Sequence, residues 1–262
     1  MPNRDGYVEG IPSFTDLMTT DVEGAQTFYS ALFGWDYERN ETDSPDDPYF
    51  MASLRGRAAA GLSPQPQWQV DMGIPPMWTA YVTVDDVDAT SGRVEEAGGT
   101  VMAPPFDVMD AGRMALIVDP AGAVLALWQA KESVGAEVVN EPGALTWAEL
   151  QTTDQDAVAG FFGKLLGWDT ATADMGPIGQ MTMFKVAGED IASAMDVPME
   201  GVPAHWQVYF AVDDCDAACA RVAELGGQVL MPAMDAPPGR MAAVADPAGA
   251  VFSIIELANP PV

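Results

Sequence analysis

Apolar residues along the chain fall into short alternating runs, interrupted twice by a longer helical stretch in each half. Ile11 to Thr19 reads as a strand. Asp21 follows as a helix N-cap with Glu23 in the first turn, and Phe28, Tyr29, Leu32 and Phe33 recur at helical spacing before Gly34 closes the helix. Short strands are expected at Tyr49 to Leu54 and, after a turn at Gly56, at Ala58 to Leu62. A proline-rich connection (63 to 76) leads to a strand at Thr79 to Val84. Asp86 caps a second helix that runs to Gly98-Gly99. Three more strands follow, Thr100 to Ala103, Arg113 to Val118 and Ala123 to Trp128, the last two joined by an Asp119-Pro120-Ala121-Gly122 turn. Strand, helix, then strands, twice over, is an α+β pattern with curved, mostly antiparallel sheets.

The whole pattern then repeats. Residues 20–36, TDVEGAQTFYSALFGWD, return at 153–169 as TDQDAVAGFFGKLLGWD. The run from Tyr81 to Asp86 returns from Tyr209 to Asp214, Gly112-Arg113-Met114-Ala115 returns as Gly239-Arg240-Met241-Ala242, and the run from Asp119 to Val124 returns from Asp246 to Val251. The order of blocks is preserved, so two homologous domains are expected, 1–134 and 135–262, with a linker from Lys131 to Gly143.

Composition narrows the chemistry. The 262 residues hold 39 Asp and Glu against 11 Lys and Arg, a net charge of −28, which divides as −14 per half. Such a chain will not hold a phosphate backbone or an anionic membrane by charge, so neither nucleic acid nor membrane is expected as a partner. No run is long enough to span a bilayer, and the N-terminus lacks a basic-then-apolar leader. Cys215 and Cys219 stand at helical spacing and read as two small buried residues, which places the protein in a reducing cytoplasm. One histidine, His205, excludes any site needing two imidazoles from one chain. No phosphate-binding glycine loop is present.

The blocks D-x-x-x-A-x-x-F-Y/F-x-x-L-x-G-W, V-D-D-x-D-A and D-P-x-G-A-V, in that order, resemble the vicinal oxygen chelate superfamily of glyoxalases, bleomycin-resistance proteins and extradiol dioxygenases. Within it, the tandem arrangement is similar to two-domain actinobacterial proteins labelled hydroxylases. The resemblance implies paired βαβββ modules, two per domain, curled around a cleft. Its metal-dependent members carry ligands at places that fall here on Phe14 and Trp147, Thr79 and Gln207, Ala126 and Ser253, and near Ala58 to Leu62 and Ile191 to Met195. Of these only Gln207 has a side chain that suits a hard cation, so the expectation is a pair of clefts with no metal and no other cofactor.

Strand alternation says what such clefts hold instead. Phe14 brings Asp16 and Met18 to its face, and Trp147 brings Glu149 and Gln151. Thr79 brings Tyr81, Gln207 brings Tyr209, Ala126 brings Trp128, and Ser253 brings Ile255. Both clefts then offer an aromatic floor, a carboxylate and a tyrosine, which suits a planar organic ligand. Asp16 and Glu149 are the candidate acid–base groups, with Tyr81 and Tyr209 polarising an oxygen. The remaining named side chains, with His205 for the second cleft, are candidate contacts. The other reading of each acid is structural, a carboxylate held by the neighbouring tyrosine. Arg113 and Arg240 read first as salt-bridge partners, and Trp35 and Trp168 as packing at the helix–sheet junction.

Two functions fit. One is a metal-independent enzyme or tailoring factor of antibiotic or aromatic polyketide metabolism, acting on an aromatic or carbonyl compound. Oxygen chemistry there needs an activated substrate or a partner enzyme of the same pathway. The alternative is a binding protein that sequesters a planar or cationic antibiotic, favoured by the negative field and the aromatic floor.

Overall fold

The chain is described from a computed structural model, for residues 3–40, 42, 48–175, 179–197 and 201–259. Its first half contains β1 (Pro12–Thr19), α1 (Val22–Phe33), β2 (Asp36–Asn40), β3 (Tyr49–Leu54), β4 (Arg57–Pro64), α2 (Gln67–Asp71), β5 (Met77–Thr83), α3 (Val87–Ser91), α4 (Val94–Ala97), β6 (Thr100–Val108), β7 (Gly112–Val118) and β8 (Val124–Ala130). The second half contains β9 (Leu145–Thr152), α5 (Gln155–Leu166), β10 (Asp169–Asp174), β11 (Gln180–Val186), β12 (Glu189–Asp196), β13 (His205–Ala211), α6 (Cys215–Glu224), β14 (Gln228–Ala236), β15 (Gly239–Ala245) and β16 (Val251–Leu257).

Each half builds one eight-stranded sheet, ordered β2-β3-β4-β1-β5-β8-β7-β6 and β10-β11-β12-β9-β13-β16-β15-β14. Either sheet divides into two βαβββ modules joined where their first strands meet antiparallel, β1 with β5 and β9 with β13. Within a module the first and last strands run parallel, as β1 with β4 and β5 with β8. This is the mixed α+β vicinal oxygen chelate fold, in tandem.

Local chemistry sets the helix ends. Asp21 Oδ1 accepts from the Gly24 amide at 2.9 Å, and Gly34 ends α1 at φ 76°. Asp154 and Gly167 do the same for α5. The DPAG turns are held by their aspartates: Asp119 Oδ1 accepts from the amides of Ala121, Gly122 and Ala123, and Asp246 Oδ1 from those of Ala248 and Ala250.

The structure departs from the sequence reading in several places. β2 and β10 were not expected: they are exposed polar edge strands with no alternation to betray them. α2 interrupts the proline-rich connection. The helix after Asp86 is split at Gly92-Arg93 into α3 and α4, whereas its repeat α6 is unbroken. Gly92 stands where the repeat has Ala220 and Thr90 where it has Ala218, both weaker helix formers than alanine. β6 extends to Val108, beyond the expected Ala103.

The core lies between the two sheets and belongs to both halves. α1 places Phe33 5.0 Å from Phe210 of β13, and Tyr29 5.5 Å from Phe252 of β16. Gly227 leaves room for Phe28, and by the repeat Gly99 leaves room for Phe161 of α5. The first helix of each half therefore packs on the second module of the other. Trp35 and Trp168 take part in this interlock beyond the helix–sheet junction. Trp35 Nε1 donates to the Gly143 carbonyl at 2.7 Å, and Trp168 Nε1 to that of Gly10 at 2.9 Å. Arg93 crosses too, donating to the Leu165 carbonyl at 3.1 Å at the C-terminal end of α5.

The linker is not a loose tether. β1 and β4 pair only from Asp16 and Gly61 onward, and the linker enters the gap before that point. The Ala136 amide donates to the Ser13 carbonyl at 2.8 Å and the Glu137 amide to that of Ala58 at 2.7 Å, while Glu137 Oε2 accepts from the Ala58 amide at 2.9 Å. Tyr7 donates to the Ala136 carbonyl at 2.6 Å and Trp128 Nε1 to that of Ser133 at 3.0 Å. Among the described residues no helix is long and apolar enough to cross a membrane.

Candidate functional site

Alternation along β1 sends Leu17 into the shared core and leaves Phe14, Asp16 and Met18 on the opposite face. Register brings their neighbours into place. Phe14 pairs with Tyr81, Asp16 with Thr79 and Met18 with Met77, and Tyr81 pairs on its other side with Ala126. In the second half Trp147 pairs with Tyr209, Glu149 with Gln207 and Gln151 with His205, and Tyr209 with Ser253. These side chains thus stand on the face of each sheet opposite the shared core.

In the first cleft the Tyr81 hydroxyl donates to Asp16 Oδ2 at 2.6 Å. Asp16 is 7% exposed, and among the described residues its Oδ1 has no hydrogen-bond partner. The Thr79 hydroxyl lies near enough to favour the carboxylate without making a well-formed bond to that oxygen. Burial pushes the Asp16 carboxyl up to about 6, against the opposing pull of Tyr81 and Thr79. Burial, with the Asp16 charge added, also raises the Tyr81 hydroxyl well above its ordinary value. Phe14, Tyr81 and Trp128 meet edge to face, with ring centres 5.6 and 6.3 Å apart. Met114, Ala136 and Val139 complete this apolar cluster. Met18 and Met77, both half-buried, stand at the other end of the strands.

The second cleft is more polar. Tyr209 donates to Glu149 Oε1 at 3.0 Å, and Gln151 Nε2 donates to the same oxygen. Ser193 donates to Glu149 Oε2 at 3.4 Å and accepts from Trp147 Nε1 at 2.9 Å. Gln207 donates to Ser253 at 3.0 Å. Burial raises the Glu149 carboxyl, opposed by Tyr209, Gln151 and Ser193. Ile255 packs with Tyr209 and Met241. His205 is half-buried and its Nδ1 lies 2.9 Å from the Pro203 carbonyl.

Sequence reasoning missed several cleft residues. Tyr49 on β3 occupies the space beside Asp16 that a side chain at Gly61 would fill, since a Cβ built there overlaps its hydroxyl. Met114 and Met241 of the repeated G-R-M-A blocks face the clefts. Their arginines point away: Arg113 Nε donates to Asp88 at 2.7 Å, and Arg240 Nε to Asp216 at 2.7 Å, each a two-pronged pair. That alternation was available as a signal. The linker residues were not, because nothing in their composition marks them as cleft walls. Cys219 is only half-buried, although Cys215 is buried as expected, and both thiols are free.

The places that the resemblance assigns to metal ligands do not suit a divalent cation. The first cleft offers Phe14, Thr79 and Ala126, and Gln207 and Ser253 of the second are already bonded to each other. Among the described residues no three His, Cys, Asp or Glu side chains are grouped to hold a metal ion.

Residues 10–127 match the Glyoxalase/Bleomycin resistance protein/Dioxygenase superfamily, and residues 147–255 match a Glyoxalase-like domain. The chain is 43% identical to CFP32 of Mycobacterium bovis over 257 residues, 98% of either chain. It is 38% identical to the anthracycline biosynthesis protein DnrV of Streptomyces peucetius over 266 residues, 96% of this chain and 94% of DnrV. Among solved structures, the 2,3-dioxygenase LapB from Pseudomonas sp. KL28 superimposes with a TM-score of 0.65 at 14% identity, covering 98% of this chain and 96% of LapB. The Mn(II)-bound glyoxalase from Novosphingobium aromaticivorans gives 0.64 at 14% identity, covering 97% and 87%. At that identity the structures share the fold alone. With sequence relatives matching end to end and both halves matching one superfamily, the chain belongs to the glyoxalase/bleomycin resistance/dioxygenase superfamily.

Proposed function

We propose that the protein is a metal-independent, cytoplasmic small-molecule protein of specialised metabolism that performs acid–base chemistry on an aromatic or carbonyl compound. The observation that carries this reading is the buried Tyr81–Asp16 pair, bonded at 2.6 Å on an aromatic floor, with Tyr209–Glu149 repeating it at 3.0 Å. A carboxyl near 6 takes or gives a proton at neutral pH with little driving-force penalty. The anthracycline biosynthesis relatives DnrV and DauV support the pathway class. In this scheme a ligand O–H or acidified C–H delivers its proton to the carboxylate. Tyr81 holds the other carboxylate oxygen, and the proton returns to the product.

Sequestration of a cationic planar compound is the second reading, favoured by the net charge of −28 around an aromatic cleft. Solvent extraction of the purified protein followed by mass spectrometry identifies the compound that it carries. With that compound, Asp16→Asn is expected to abolish turnover and retain binding. Binding without turnover in the unaltered protein establishes sequestration instead. A chelator is expected to change neither binding nor turnover, and a stoichiometric divalent cation required for either overturns the metal-independent scheme.

A further inference from the structure

The two clefts share a plan but differ in how far each carboxylate is already satisfied. Glu149 is held on both oxygens by Tyr209, Gln151 and Ser193, and Ser193 is itself held by Trp147. Each of its two oxygens thus already accepts a hydrogen bond from within the protein. In the first half the counterparts of Gln151 and Ser193 are Met18 and Gly61, so two donors are missing. Among the described residues Tyr81 makes the one well-formed bond to this carboxylate, and Asp16 Oδ1 is buried without one, although the Thr79 hydroxyl lies near the carboxylate. Buried carboxylate oxygens are ordinarily paired.

The surroundings differ in the same direction. The first cleft is walled by Phe14, Tyr81, Trp128 and Met114 and closed on one side by the linker residues Ala136 and Val139. The corresponding cluster of the second half contains no linker residue, and its Trp147 is half-buried where Phe14 is 8% exposed. Apolar walls select a flat apolar body, and a single free acceptor selects a single donor.

From this asymmetry we propose that the first cleft is the ligand site and that its ligand is an aromatic compound presenting one hydroxyl to Asp16 Oδ1, while Glu149 serves as the structural hub of the second cleft. This rests on the small-molecule reading above and assigns it to one of two homologous sites.

The test uses the full chain, with 2-naphthol and 2-methoxynaphthalene, which lacks the donor, as probes. Calorimetry is expected to give one 2-naphthol per chain, with the methoxy compound at least tenfold weaker. Asp16→Leu is expected to lose that tenfold preference, and Glu149→Gln to keep it. Indole N–H resonances give a second readout that needs no cleft variant: 2-naphthol is expected to shift Trp128 and leave Trp147 in place. Two equivalents per chain, dependence on Glu149, or a shift confined to Trp147 overturns the assignment while leaving the small-molecule reading standing. No saturable binding of either probe overturns the ligand class proposed for the first cleft, and the compound identified by extraction then tests the broader reading separately.

Discussion

The Tyr29 hydroxyl donates to Asp246 Oδ2 at 3.2 Å, from the first helix of one half to the last turn of the other. It also accepts from Trp78 Nε1 at 3.3 Å. In the repeat the position of Tyr29 is Phe162, and the two groups that Tyr29 would serve there, Asp119 Oδ2 and Trp206 Nε1, are buried without partners among the described residues. Phe162 meets Trp206 edge to face at 5.7 Å, much as Tyr29 meets Trp78 at 5.4 Å. Phe162→Tyr is therefore expected to stabilise the protein by about 1 kcal/mol, and Tyr29→Phe to cost about 1–3 kcal/mol. Thermal unfolding of the two single variants decides it. A Phe162→Tyr variant less stable than the parent shows that the two orphaned groups are out of reach.

Gly61 and Tyr49 form a second coupled pair. The second half has Ser193 and Met181 at these places. Gly61→Ser alone drives its side chain into the Tyr49 hydroxyl and is expected to cost about 1–3 kcal/mol. Adding Tyr49→Met removes the obstacle, so the double variant should recover much of the loss, with a coupling energy of about 1 kcal/mol or more. Denaturant midpoints for the three variants measure that coupling, and simple additivity would contradict the packing described.

Asp16 makes stability depend on pH in a direction opposite to most carboxylates. Its folded value of about 6 lies above the ordinary 3.8. The folded state therefore binds the proton more tightly than the unfolded chain. That contribution is full below about 3.8 and is lost as pH rises through about 6. Its size is roughly 3 kcal/mol. Asp16→Asn should remove it, so the stability difference between parent and variant should change between pH 4 and pH 7.5 in chemical denaturation. An unchanged difference means that Asp16 titrates as it does in water.

Gly135 tests the linker. It sits at φ 103°, and a Cβ there would lie 2.6 Å from the Ser13 carbonyl oxygen. Gly135→Ala is expected to cost about 1–3 kcal/mol and to loosen the linker where it closes the first cleft. Hydrogen exchange at Ala136 and Glu137 should quicken, while amides of the β9–β12 pair stay protected. Unchanged exchange at Ala136 would show that the linker is held elsewhere.

Much of this protein is written in its sequence. The repeat, the helices capped by Asp21 and Asp154, the DPAG turns and the two-fold alternation that brings Asp16 near Tyr81 and Glu149 near Tyr209 all follow from local spacing. Local spacing carries them because caps, turns and strand faces depend on residues a few positions apart. The exposed strands β2 and β10 were not legible, since edge strands carry no buried face to leave a pattern. Three things belonged to the tertiary structure alone: that α1 packs on the other half's sheet, that Ala136 and Val139 pack against Phe14, Tyr81 and Trp128, and that both Glu149 oxygens are bonded whereas Asp16 Oδ1 has no partner among the described residues. Each depends on which distant segments meet, through contacts such as Ser13 with Ala136 or Tyr29 with Asp246. Sequence spacing does not record such contacts, because they form between surfaces and not between neighbours in the chain.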